Sequence, residues 1–231
     1  AVALDEAKAN TIQEAMADTK KKEIYLRFMD KSRVAMAGHW DKANNYVRGI
    51  EDYLLTEQYR RPEHQQKVVE DILDNWIQYS QNNKFHGMFA TSSIAEAIEY
   101  YRLFKKLKPE LKITALFDPN IDNNENAKFK EDGLVEIISD YNNRYGMEFS
   151  LATHAKMKRD IADRLAHKEL YKRVEHTPEK QLDLLIVVDQ MLTGFDSKWV
   201  NTLYLDKMLE YANLIQAFSR TNRLFGKDKP F

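Results

Sequence analysis

Apolar and polar positions follow two different rhythms along this chain, and the change falls near residue 84. Before it the pattern is helical. Residues 3–21 are rich in Ala, Glu, Lys and Gln, all strong helix formers. Pro62 suits a first helical position, and Val68, Val69, Ile72, Leu73, Trp76 and Ile77 then recur at i, i+4 and i+8. That spacing predicts an amphipathic helix ending near Gln81-Asn82-Asn83. No strand pattern precedes Phe85, so residues 1–83 are expected to form a helical segment.

After residue 84 short apolar runs alternate with helical stretches. Phe85–Ala90 is the first run, followed by Thr91-Ser92-Ser93 and a helical pattern over Ile94–Leu107. Ser93 with Glu96 three residues on makes a capping box. Ile113–Phe117 is the second run, closed by Asp118-Pro119-Asn120. Leu184–Val188 is continuously apolar and partly β-branched, as expected of a strand buried on both faces. Thr202–Leu205 is the fourth, followed by a helical stretch over Leu209–Arg220. Between the second and third runs lies a polar insertion at about 119–180, with a surface loop at 122–126 and helices expected at Leu134–Tyr145 and Ala155–Val174. Strands alternating with helices predict an α/β fold with a mostly parallel sheet. In such sheets ligands gather at the carboxyl ends of the strands. The polar residues there are Thr91, Ser92 and Ser93, Asp118, Asp189 through Asp196, and Asp206 with Lys207.

Composition narrows the classes. The chain has 231 residues, 43% of them apolar, with only seven Gly and five Pro, which excludes disordered and collagen-like chains. It has no Cys, hence no disulfide, thiolate nucleophile or thiolate metal site. No apolar run approaches the 18 residues of a membrane span. The chain starts without Met and without a signal-peptide pattern, and is expected to be part of a longer intracellular protein. The net charge of −1 advertises no polyanion partner, although residues 102–112 carry five basic side chains against one acidic, and residues 220–231 four against one. A solvated helix face is the commoner meaning of such runs.

Several chemistries find no motif. The glycines never form the phosphate loop Gly-x4-Gly-Lys-Ser/Thr, and without it Asp189 reads as a strand-end acid rather than a magnesium ligand. The six histidines lack the paired spacing of a zinc site, and no Gly-x-Ser-x-Gly elbow is present. Two segments stand out. In Met191-Leu192-Thr193-Gly194-Phe195-Asp196, Gly194 allows close backbone approach to a ligand, Thr193 supplies a hydroxyl and Asp196 an acceptor. An ordinary turn would look the same. In Gln216–Arg223, Arg220 and Arg223 are three apart, so on a helix both guanidinium forks share a face and suit a triphosphate. Taken alone, such a pair reads as two surface arginines.

The two segments together carry more. Leu-Thr-Gly-Phe-Asp (192–196), Leu-Tyr-Leu-Asp-Lys (203–207) and Gln-Ala-Phe-Ser-Arg-Thr-Asn-Arg (216–223) resemble motifs V and VI of superfamily 2 helicases, and more narrowly the motor (R) subunit of type I restriction-modification enzymes. The end of the first run, Phe89–Ser93, resembles motif IV. The resemblance covers about 84–231 and departs at Ser197-Lys198, where the family often has Ala-Pro.

The resemblance implies a RecA-like lobe of the phosphate-loop NTPase type over 84–231, the second lobe of a motor, preceded by the helical segment. It implies that Arg220 and Arg223 reach ATP as arginine fingers, that Gly194, Asp196 and Gln216 face the nucleotide, and that Thr91, Ser92 and Thr193 touch a DNA phosphate. ATP and Mg2+ would be held mainly by a first RecA-like lobe. The implied partners are duplex DNA, that lobe and a nuclease domain of the same chain, and methyltransferase and specificity subunits, in a bacterial or archaeal cytoplasm and away from membranes. This chain alone would be inactive. Another superfamily 2 motor, or a RecA-like module that only binds, are the alternatives.

Overall fold

The computed structural model describes residues 2–30, 35–54, 56–118, 127–188 and 197–206. They belong to two compact units, 1–61 and 62–231.

The first unit contains three short helices, α1 (Val2–Glu6), α2 (Ile12–Ala17) and α3 (Thr19–Met29). The helical stretch expected over 3–21 is therefore interrupted. Its breaks fall where cap residues stand. The Thr11 hydroxyl accepts from the Glu14 N–H at 3.1 Å, and Asp18 accepts from the Lys20 and Lys21 N–H groups, each at 2.9 Å. Ala7, Ala9 and Ala15 form a small core with Leu4, Ile24 and Tyr25. The unit also holds an antiparallel pair, β1 (His39–Trp40) and β2 (Tyr46–Val47), where the sequence pattern predicted no strand. Two-residue strands are too short to show a period. Their turn is instead specified by Asp41, whose carboxylate accepts from the Ala43 and Asn45 N–H groups at 2.8 Å, and by Asn44 at φ 62°.

The second unit is built on a parallel sheet. Its elements are α4 (Pro62–Tyr79), β3 (His86–Thr91), α5 (Ile94–Leu107), β4 (Ile113–Leu116), α6 (Ala127–Tyr145), α7 (His154–Ala166), β5 (Leu184–Val188) and β6 (Val200–Asp206). The strand order is β4-β5-β3-β6, every pair parallel. The two central strands are the most apolar, with β3 buried along its whole length and β5 at four of five positions. Although the sequence period changes at 84, α4 belongs with the sheet. It buries Val69, Ile72 and Trp76 in the same core as Met88, Phe89 and Leu184. Gly87 permits this, because a Cβ there would stand 3.1 Å from the Trp76 ring and 3.0 Å from Leu184. Gln81, Asn82 and Asn83, all at positive φ, then turn the chain into β3. Phe89 meets Tyr100 and Phe104 of α5 edge to face, with ring centroids 4.8 and 6.2 Å apart.

The insertion differs from expectation at both ends. Helix α6 starts at Ala127, earlier than its apolar spacing suggested. Helix α7 stops at Ala166, where His167 takes a left-handed conformation, and 3-10 turns replace the rest of the helix expected to Val174. The reason is a buried cation. Arg164 lies among the rings of Tyr145, Tyr171 and Tyr141, its guanidinium carbon 3.7, 4.4 and 5.5 Å from their centres. It bonds Asp160 at 2.9 Å and the Lys180 carbonyl at 2.5 Å, while Tyr141 and Tyr171 donate to the same Asp160 carboxylate. The break lets Tyr171 fold back to stack on Arg164 and donate to Asp160, one turn earlier on α7.

At the amino edge of the sheet two histidines meet. His86 Nε2 is 2.9 Å from His167 Nε2, and His167 stacks on Trp199 at 3.8 Å. Hydrogen-bond logic fixes both tautomers. The Leu182 carbonyl can only accept, so His86 Nδ1 carries the proton. His86 Nε2 then accepts from His167 Nε2–H, which keeps the His86 ring neutral. Burial, reinforced by the neighbouring ring, lowers the His86 pKa to about 3. Burial lowers that of His167 to about 4, against the opposing pull of Glu175, 3.9 Å from its Nδ1.

Candidate functional site

All four strands of the sheet end on one edge. The register sets Val188 and Asp206, the last residues of β5 and β6, on either side of Thr91, the last residue of β3. Segments that are distant in sequence therefore leave the sheet side by side.

Between β3 and α5 the expected cap is present. The Ser93 hydroxyl accepts from the Glu96 N–H at 3.2 Å, and the Glu96 carboxylate reaches back to the Ser92 N–H at 3.0 Å. A carboxylate thus covers the amino end of α5, where orphan N–H groups favour an anion. Thr91 and Ser92 differ in access. Thr91 is fully buried in the central strand, and its hydroxyl lies 3.3 Å from the Ser93 carbonyl and 3.4 Å from that of Val187. Ser92 is exposed. Of these two hydroxyls, both expected with Thr193 to touch a phosphate, the one on Ser92 belongs to an exposed residue.

At the end of β6 the Asp206 carboxylate is held from two helices. One oxygen is 3.0 Å from His64 Nε2 of α4, and the other accepts from the Tyr100 hydroxyl of α5. Tyr100 is buried, and burial followed by the Asp206 charge pushes its phenol above the ordinary range. Beside this group Gln65 donates to Glu99 at 3.0 Å. Asp206 had been placed at the functional edge by its strand, but no sequence signal joined it to His64 or Tyr100, which read as helix residues. Asp118, beyond β4, acts on His154 at the start of α7, raising its pKa against a larger downward effect of burial.

Thr193, Gly194, Asp196, Gln216, Arg220 and Arg223 lie outside the described residues, as do Asp189 and Lys207. The basic stretch 102–112 is largely engaged within the fold. Arg102 pairs with Glu136 at 2.7 Å, Lys105 with Asp140, Lys108 with Glu110 at 2.8 Å and Lys112 with Asp183 at 3.4 Å. Among the described residues no three His, Asp or Glu side chains converge as a metal site requires, and no helix is long and apolar enough to cross a membrane.

A four-stranded parallel sheet flanked by helices is the α/β architecture of a RecA-like lobe. The family model for type I restriction enzyme subunit R domain 3 matches residues 83–231, and the chain belongs to that family. Similar curated proteins are endonuclease subunits of type I restriction enzymes. SauCOLORF180P of Staphylococcus aureus (strain COL) is 39% identical over 172 residues, covering 71% of this chain and 18% of that protein. SsaAORF53P of Staphylococcus saprophyticus is 35% identical over 173 residues, again 71% and 18%. HindI of Haemophilus influenzae is 27% identical over 165 residues, covering 70% and 14%. The chain thus spans less than a fifth of the length of these relatives.

Proposed function

We propose that residues 84–231 are the second motor lobe of a type I restriction enzyme R subunit, working in ATP-dependent translocation of duplex DNA ahead of cleavage by a separate nuclease domain. The observation that carries this reading is the register at the carboxyl edge. Thr193-Gly194-Phe195-Asp196 follows β5 in the chain, and Arg220 and Arg223 follow β6. These strands end level with each other on either side of Thr91, about 10 Å apart at two strand spacings. Family membership over the same residues supports it further.

In this reading Gly194, Asp196 and Gln216 face the nucleotide, and Arg220 and Arg223 place guanidinium forks against its phosphates. Such arginines stabilise the charge that builds on the transferring phosphoryl group. ATP with Mg2+ supplies the phosphoryl chemistry when bound, held mainly by a first lobe. The described residues offer no ligand set for the metal. Ser92 and Thr193 contact the DNA backbone, which positions the duplex without reading its sequence. Thr91 serves from beneath by fixing the turn. An anion approaching the Ser92 N–H must displace the Glu96 carboxylate. The lobe works in the cytoplasm beside the first lobe, the nuclease domain, and methyltransferase and specificity subunits.

The test is Arg220→Lys and Arg223→Lys in the full R subunit assembled with its partner subunits. Lysine keeps the charge but loses the planar fork, so ATP turnover should fall at least about a hundredfold. Near-normal turnover in both variants would return the arginines to the surface and remove the motor reading's catalytic half.

A further inference from the structure

Among the described residues strand β6 lies at one edge of the sheet, paired with β3. An edge strand is held by backbone hydrogen bonds on one side only, so its end is less constrained than that of a central strand. Here that end is fastened by side chains. The Asp206 carboxylate takes one bond from His64 near the start of α4 and one from Tyr100 within α5, while the Ser92 hydroxyl lies 3.5 Å from the Asp206 carbonyl. Two helices and the turn after β3 are thus tied to a single residue. Both oxygens are used, and a charged acceptor makes each bond stronger than a neutral one. Tyr100 cannot shift easily, because its ring is wholly buried against Phe89 of β3. His64 sits on a helix whose far half is locked into the core by Val69, Ile72 and Trp76.

We infer that Asp206, held by His64 and Tyr100, is a positioning residue for ATP turnover: it fixes the point from which the chain runs on to Arg220 and Arg223. The inference rests on the arginine-finger reading above. A merely structural role predicts something different, namely loss of stability with normal turnover per folded molecule. A transition-state group needs placement to a fraction of an ångström, so loosening its root lowers the rate constant while substrate binding by the other lobe persists.

The experiment uses the full R subunit in its assembled complex, with Asp206→Asn, Tyr100→Phe, His64→Ala and His64→Gln, and Arg220→Lys as reference. Turnover is measured across ATP concentrations, and folded fraction by thermal melting. Asp206→Asn should lower kcat about tenfold with KM for ATP changed less than about twofold. Tyr100→Phe and His64→Ala should each lower kcat by a smaller factor, and combining either with Asp206→Asn should add little, because all three remove one network. His64→Gln keeps an N–H donor and should recover most of the activity that His64→Ala loses. Normal kcat in Asp206→Asn beside a collapsed Arg220→Lys overturns the positioning role and leaves the motor reading intact. A fall in kcat that merely tracks the loss of folded protein also overturns it. Unchanged turnover in Arg220→Lys overturns the functional reading, and this inference with it.

Discussion

Acidification should unfold this chain through the His86–His167 pair. Unfolded, both rings take up a proton below about pH 6.5. Folded, His167 stays neutral to about pH 4 and His86 to about 3. The unfolded state therefore binds more protons throughout that interval, and stability falls as the pH falls. Each ring contributes a slope of about 1.4 kcal/mol per pH unit, so one unit costs up to about 2.8 kcal/mol, a large share of a typical domain's stability. Above pH 6.5 the contribution is constant. The two rings do not fail alike. His167 can accept its proton on Nδ1, toward Glu175, without breaking the bond to His86. A proton on His86 Nε2 would set two donors against each other across 2.9 Å. The assay is urea unfolding of the 231-residue chain at half-unit steps from pH 7.5 to 4.5, beside His167→Phe, which keeps an aromatic ring against Trp199. The variant should lose about half the slope that the pair supplies. Parallel curves for the two proteins would mean that carboxylates alone carry the acid response, and the neutral-pair argument would fail.

Other positions test the packing directly. A Cβ at Gly133 would lie 2.5, 2.9 and 3.1 Å from three carbons of Ile98, so Gly133→Ala should force α5 and α6 apart and cost about 1–3 kcal/mol in a denaturant melt, despite alanine's better helix propensity. A stabilised variant would show that the helices can slide. Arg164→Lys keeps the charge but loses the flat stack among three tyrosines and one of its two directed bonds; it should destabilise by about 2 kcal/mol or more. A change within half a kcal/mol would mark the cage as incidental.

What could be read from the sequence follows from how local each signal is. The runs at 85–90, 113–117 and 184–188 became β3, β4 and β5 because a strand buried on both faces is apolar throughout and needs no partner to be recognised. The Ser93–Glu96 cap spans three residues and was legible for the same reason. The hairpin at 39–47 was not, since its strands are two residues long. The end of α7 was missed because it depends on an arginine finding three rings, two of them on α6. At the site, strand ends marked Asp206, but its bond to His64 joins residues 142 apart, and no pattern in either segment announces the other. The residues that carry the family resemblance are contiguous within each of three short segments, and are legible without any fold.

The strand order also has a consequence for synthesis. Strand β5 sits between β4 and β3, so the two strands made early cannot pair until the third is made. Gly87 waits for Leu184, 97 positions later, and β6 follows only after that. At roughly 5–20 residues per second on the ribosome, that wait is roughly 5–20 s. Through it, the buried strand β3 is nascent chain without either of its strand neighbours, in need of a chaperone or of its own helices for cover. A recombinant piece that ends before Leu184 makes that exposure permanent, and aggregation is its expected fate. Useful truncations of this protein must therefore keep β5, whatever else they discard.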